Sequence, residues 1–200
     1  RYFFLSRTPA PDAASAGLVS YTPQTEFLSL LSCGDGTAIE GILIYPLDYQ
    51  PGTRYPLVVQ LHAGLYETDK FGAGPGLLQN YFPVLAARGW MVFRPNFRGN
   101  PGYGPAFYRD VVGGYFKHMH LDVLAGVEAL AARGLADPQR MVVMGWSTGA
   151  HVTNKLITFT DRFKAASAGA GVGSFTHRFA MPEQSGNSVL SVLRPVDVPP

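Results

Sequence analysis

Met141-Val142-Val143-Met144-Gly145-Trp146-Ser147-Thr148-Gly149-Ala150 is an apolar strand pattern that runs into G-x-S-x-G, followed by Val152, Leu156 and Phe159 at helical spacing. Strand, tight turn and helix in that order are the context a nucleophile elbow requires. The serine sits on a sharp, strained bend, where neighbouring backbone comes so close that side chains at Gly145 and Gly149 would clash. Such a bend lifts the Ser147 hydroxyl out of the sheet and leaves the next backbone N–H, that of Thr148, free to hold an oxyanion. In a chain with 23 glycines a bare G-x-S-x-G is more often an ordinary turn. Here its apolar flanks make Ser147 the best candidate for a reactive group.

Outward from the elbow the pattern is buried strand, loop, helix, repeated. Strands are expected over 57–61, 91–94 and 141–144, with a further one over 164–168; helices over 77–88 and 121–133, ending at Gly89 and Gly134, with a third after Ser147. Short continuous apolar strands alternating with helices predict an α/β fold, a mostly parallel sheet with helices on both faces. Upstream, the runs 27–31 and 39–45 flank Gly34-Asp35-Gly36 and predict an antiparallel hairpin. In a parallel sheet ligands bind at the carboxyl ends of the strands, so the loops at His62, at Asn96 and at Ser147 should converge.

With 46% hydrophobic and 15% charged residues in 200, the chain can bury one good core. Its net charge of +2 is scattered, so neither nucleic acid nor an anionic membrane is an implied partner. No apolar run reaches membrane-spanning length. Cys33, the single cysteine, excludes an internal disulfide and a cysteine-only metal site, and its expected role is that of a small buried apolar residue. The compartment stays open, with a cytoplasmic one favoured. Residues 1–26 read as a linker or the end of a preceding domain, and the opening arginine points to a processed or partial chain.

Several blocks in order resemble the catalytic domain of the prolyl oligopeptidase family of serine peptidases, in particular its acylaminoacyl-peptidase and dipeptidyl-peptidase branches. Gly34-Asp35-Gly36-Thr37-Ala38-Ile39-Glu40-Gly41 is similar to the family's entry hairpin. Tyr55-Pro56-Leu57-Val58-Val59-Gln60-Leu61-His62-Ala63-Gly64 looks like its YPLVV-x-x-HGG strand and oxyanion loop. Asn96-Phe97-Arg98-Gly99-Asn100-Pro101-Gly102-Tyr103-Gly104 is similar to its N-x-RGS-x-GYG segment. Asp122, Asp137-Pro138-Gln139-Arg140 and Asp161-Arg162-Phe163-Lys164-Ala165 complete the series. The resemblance implies an α/β-hydrolase fold over 27–174 and a peptide substrate. It implies Ser147 as nucleophile and the N–H groups of Gly64 and Thr148 as oxyanion hole, with no metal or organic cofactor. Ala63 stands where the family pattern has glycine, Leu65 where proline is common, and Thr148 where an aromatic residue follows the serine.

In this fold the triad runs Ser, Asp, His. Fifty-three residues follow Ser147, and 175–200 read as a divergent tail, so the triad acid and base are not identified and a C-terminal truncation is expected. His177 and Asp197 fall in that tail. His151, one turn past the elbow, reads as a helix-surface or core histidine. His62 is expected to shape its loop by hydrogen bonding or packing, with a general-base role the minority reading. His62, Arg98 and Tyr103 are possible substrate-loop residues, a bracing ion pair being the other reading of Arg98. His118, His120 and Asp122 read as a solvated helix start rather than a metal site. The loop at 72–76 lacks the residues of a phosphate cradle. Rival readings are a carboxylesterase-like hydrolase, which shares the elbow, and an inactive piece lacking the triad Asp and His.

Overall fold

The computed structural model describes residues 24–31, 35–64, 67–69 and 81–171. The expected hairpin opens it: β1 (Thr25–Leu31) and β2 (Ala38–Ile44) pair antiparallel, from Thr25 opposite Ile44 to Leu31 opposite Ala38. Then follow β3 (Tyr55–Leu61), α1 (Phe82–Ala87), β4 (Met91–Asn96), α2 (Pro105–Arg109) and α3 (Met119–Ala132). The described elements end with β5 (Ala136–Trp146), α4 (Thr148–Phe159) and β6 (Ala165–Gly169). The strands lie in the order β1-β2-β4-β3-β5-β6. The pairings of β3 with β4, β3 with β5 and β5 with β6 are parallel, while β2 joins β4 antiparallel.

Strand residues alternate between two helix layers, because successive side chains of a strand point to opposite faces. Leu43, Leu57, Val59, Leu61, Met91, Phe93, Met141 and Val143 form one core with Met119, Val123 and Val127 of α3 and Val152 and Leu156 of α4. Ile42, Ile44, Val58 and Val92 pack on the other face with Phe82 and Ala86 of α1. Both faces being covered, the strands read as unbroken apolar runs, and burying one side chain such as Phe93 contributes about 2–3 kcal/mol.

The differences from expectation have local causes. Helix α2 was not anticipated; its sequence signal is Pro105 directly after Gly104, since proline suits the first turn, where its missing N–H is not needed. Strand β5 begins earlier than expected, with Ala136 opposite Tyr55, and then bulges before Met141 takes up its place opposite Leu57. Asp137 closes that bulge by accepting the Gln139 N–H at 2.9 Å and the Arg140 Nε–H at 2.7 Å. Cys33, Gly34, Leu65, the first part of the helix expected over 77–88, the loop at 72–76, the tail from 175, His177 and Asp197 lie outside the described residues.

The register positions the site. Leu61 pairs with Gly145, so β3 and β5 end at the same level, and β4 lies on the other side of β3 with Phe93 opposite Val59. Residues 62–64, the loop from Phe97 and Ser147 therefore leave the sheet at one end, as expected for a parallel core.

Candidate active site

Ser147 joins β5 to α4 with φ 53° and ψ −113°. For a residue with a Cβ this is left-handed backbone and carries a strain of about 1–3 kcal/mol. It persists because the surroundings leave no other path. A Cβ on Gly145 would overlap the Gly149 carbonyl group, and one on Gly149 would overlap the carbonyl oxygens of Leu61 and His62. The two glycines thus let α4 start directly against the end of β3, which sets the 62–64 loop beside the elbow. The Ser147 N–H donates to Gly169 O at 2.9 Å and ties the turn to β6. Thr148 is the first residue of α4, a position whose N–H has no acceptor within its own helix.

On the other side of the elbow, Gly64 adopts φ +73°. His62 is 5% exposed, and its ring stacks on Phe97 with centroids 4.7 Å apart and planes 3° from parallel. Its Nδ1 lies 3.0 Å from Ala63 O and its Nε2 2.7 Å from Asn100 Nδ2. Both ring nitrogens are engaged, so the structure brings His62 to the loop as a packed, bonded residue.

Arg98 is buried and turned inward. Asp122, fully buried on α3, accepts the Arg98 backbone N–H at 2.9 Å, Nε–H at 3.0 Å and Nη2–H at 2.6 Å, while Nη1 reaches Asp35 at 2.5 Å. The bracing ion pair forms, with the guanidinium held between two carboxylates. Its effect is to tie the 97–104 loop to α3 and to the β1–β2 turn. Asp35 is held well below the usual carboxylate range, chiefly by hydrogen bonds from Thr37 and then by Arg98. Tyr103 accepts from Asn96 Nδ2 at 2.9 Å, and burial, followed by a hydrogen bond to Glu40, pushes its phenol up to about 12. It is a neutral hydroxyl at any ordinary pH.

The solvated helix start expected at His118 to Asp122 is corrected by the structure. His118 pairs with Asp110 at 2.8 Å, but His120 is 5% exposed, its ring edge-on to Phe159 of α4, and Asp122 is fully buried because Arg98 of the 97–104 loop reaches it. Among the described residues no cluster of histidine, cysteine, aspartate or glutamate has the makings of a metal site. Burial first, then the Lys155 ammonium, pushes the His120 imidazole below its ordinary range, against the opposing pull of Asp122. The folded chain therefore takes up this proton later than the unfolded chain does. The contribution is fully present above about pH 6.5 and is lost as pH falls through the lowered folded value. His120→Phe, which keeps the edge-on contact with Phe159, is expected to flatten the fall in urea midpoint between pH 8 and pH 5 relative to the parent chain. An equal fall in both would remove His120 as its source.

Sequence reasoning passed over two residues of this region. Asn100 was read only as part of a motif. Tyr115, which carried no signal, donates to or accepts from His151 Nδ1 at 2.9 Å and also bonds the Thr148 side chain, linking α4 to the segment before α3. His151 is thus a bonded, half-buried helix residue, as expected of it.

A sequence model described as the prolyl oligopeptidase family matches residues 78–185, more than half of the chain. The chain belongs to the prolyl oligopeptidase family. The uncharacterized peptidase YuxL of Bacillus subtilis (strain 168) is 37% identical over 136 residues, which is 66% of this chain and 20% of that protein. Dipeptidyl aminopeptidase BIII of Pseudoxanthomonas mexicana is 33% identical over 105 residues, 52% of this chain and 14% of its own length. The chain thus spans a fifth or less of these two relatives. The solved structure of a Mycobacterium tuberculosis puromycin-hydrolyzing peptidase superposes with a TM-score of 0.75 over 87% of this chain and 26% of its own, at 23% identity. At that identity the likeness speaks for the fold, the α/β-hydrolase fold common to this prolyl oligopeptidase family member and its structural neighbours.

Proposed function

We propose that the chain serves as catalytic unit of a serine-type peptidase that hydrolyses peptide bonds of short peptides through an acyl-enzyme on Ser147. The observation that carries this reading is the left-handed backbone at Ser147, wedged between two glycines with no room for a Cβ, directly beside the Gly64 loop. A strained residue costs stability, and strain of this kind is concentrated where a reactive group must be presented. In the proposed reaction the Ser147 Oγ attacks the scissile carbonyl carbon and its proton passes to a base. The carbonyl oxygen, now negative, is held by the N–H groups of Gly64 and Thr148, which are fixed by the fold and need not reorganise as the charge develops. The amine leaves with a proton, and water then cleaves the acyl ester. The reading assigns no acid or base among the described residues: His62 and His151 are engaged by Asn100 and Tyr115. Membership of a family whose relatives above are peptidases supports peptide over other acyl substrates.

The test compares peptide anilides with short acyl esters as substrates of the natural protein that carries this chain. Anilide turnover is the expected result. Ester turnover without anilide turnover would overturn the peptidase reading in favour of the carboxylesterase one, and failure of both would favour an inactive chain.

A further inference from the structure

We propose that Asn100 is a positioning residue: it fixes His62 as the neutral imidazole protonated on Nδ1, and through that ring holds the loop that carries Gly64. The inference rests on the reading of the Gly64 N–H as an oxyanion donor. The argument starts from what each atom can do. An amide nitrogen only donates, so Asn100 Nδ2 at 2.7 Å requires a bare lone pair on His62 Nε2. A carbonyl oxygen only accepts, so Ala63 O at 3.0 Å requires the proton on Nδ1. Both demands select one tautomer. Turning the Asn100 amide over would place its oxygen against Nε2 and demand a second proton there, a buried cation that the neutral arrangement avoids.

The price is visible: Asn100 Oδ1 is buried in a residue with 0% exposure and has no partner among the described residues. An unmet buried acceptor costs about 1–3 kcal/mol. An apolar side chain at 100 would avoid this but would not supply the donor to Nε2. The ring is oriented from the same loop that supplies Asn100, since Phe97 stacks on it. That loop is itself anchored, with the Arg98 N–H on Asp122 at 2.9 Å and the Gly99 N–H on Phe107 O at 3.0 Å. The path therefore runs from Asp122 through the 97–100 segment to His62, and from Nδ1–H to Ala63, the residue before Gly64. Displacing a catalytic donor by about 1 Å costs on the order of 10²-fold in rate. It also follows that His62 is no general base, because the lone pair a base would use is already bonded.

Nitrogen NMR of the histidine-labelled chain above neutral pH reads the tautomer directly. The expected spectrum shows His62 with a bare Nε2 and a protonated Nδ1. Asn100→Asp, which only accepts, is expected to move a proton onto Nε2 and to keep the ring charged to higher pH. Asn100→Ser retains a donor and is expected to preserve the parental state. In the natural protein Asn100→Ala should lower kcat about tenfold with KM within about twofold, and Asn100→Ser should recover most of it. A His62 protonated on Nε2 in the parent chain, or an Asn100→Ala variant with parental kcat, would overturn the proposal. Failure of the Gly64 reading is a separate result, namely parental turnover in Gly64→Pro, which lacks that N–H altogether.

Discussion

Ser147→Ala is expected to abolish covalent labelling by a fluorophosphonate and to lower peptide turnover by about 10⁴-fold or more while the chain stays folded. The size follows from the chemistry. Without Oγ no acyl-enzyme forms, and only the acceleration from the oxyanion donors and from binding is left. The retained fold follows from the structure, because the alanine inherits backbone strain that the serine already bears at φ 53°. Ser147→Gly sharpens the test. Relief of the strain, about 1–3 kcal/mol, more than offsets the extra chain entropy of glycine, about 0.5–1 kcal/mol. This variant is therefore expected to be unreactive and at least as stable as the parent in urea. Labelling that persists in Ser147→Ala would place the nucleophile elsewhere, and a Ser147→Gly variant less stable than Ser147→Ala would contradict the strain.

The largest stability effect is expected from Asp122→Ala. It removes a fully buried carboxylate that accepts three N–H groups of Arg98 and leaves the guanidinium, itself 3% exposed, beside the Asp35 carboxylate at 2.5 Å. Breaking one side of a buried pair costs about 3–5 kcal/mol, since the remaining charge stays out of water. For a domain of this size that corresponds to a fall in Tm of roughly 10 °C. The solvent-exposed pair between Arg162 and Glu128 is the internal control, and Glu128→Ala should leave Tm nearly unchanged, as solvent screens it. Similar Tm values for the two variants would mean that the 97–104 loop is held by packing alone.

Much of the fold was legible because its signals are local. The β-like runs 27–31 and 39–45 on either side of the turn signal Gly34-Asp35-Gly36 predict the hairpin, and the unbroken apolar runs predict strands covered on both faces. Gly145 and Gly149 around Ser147 state a steric requirement that the backbone then meets. Pro105 after Gly104 is an equally local signal, marking the start of the short helix α2.

Partnership between distant residues is different in kind. Nothing in the spacing of Arg98, Asp122 and Asp35 says that they meet. Charged residues at a helix start are usually solvated, and Asp122 is buried because the loop after β4 folds over α3. Likewise Asn100 bonds His62 across 38 positions, and Tyr115 reaches His151 across 36. The sequence by itself determined the strands, the covered sheet and the strained turn at Ser147, since each follows from the period of apolar residues or from the lack of a Cβ at two glycines. Only the tertiary structure decided which polar groups share a hydrogen bond, because burial removes water as the alternative partner and leaves each donor to whichever acceptor the packing of the sheet and helices brings within reach.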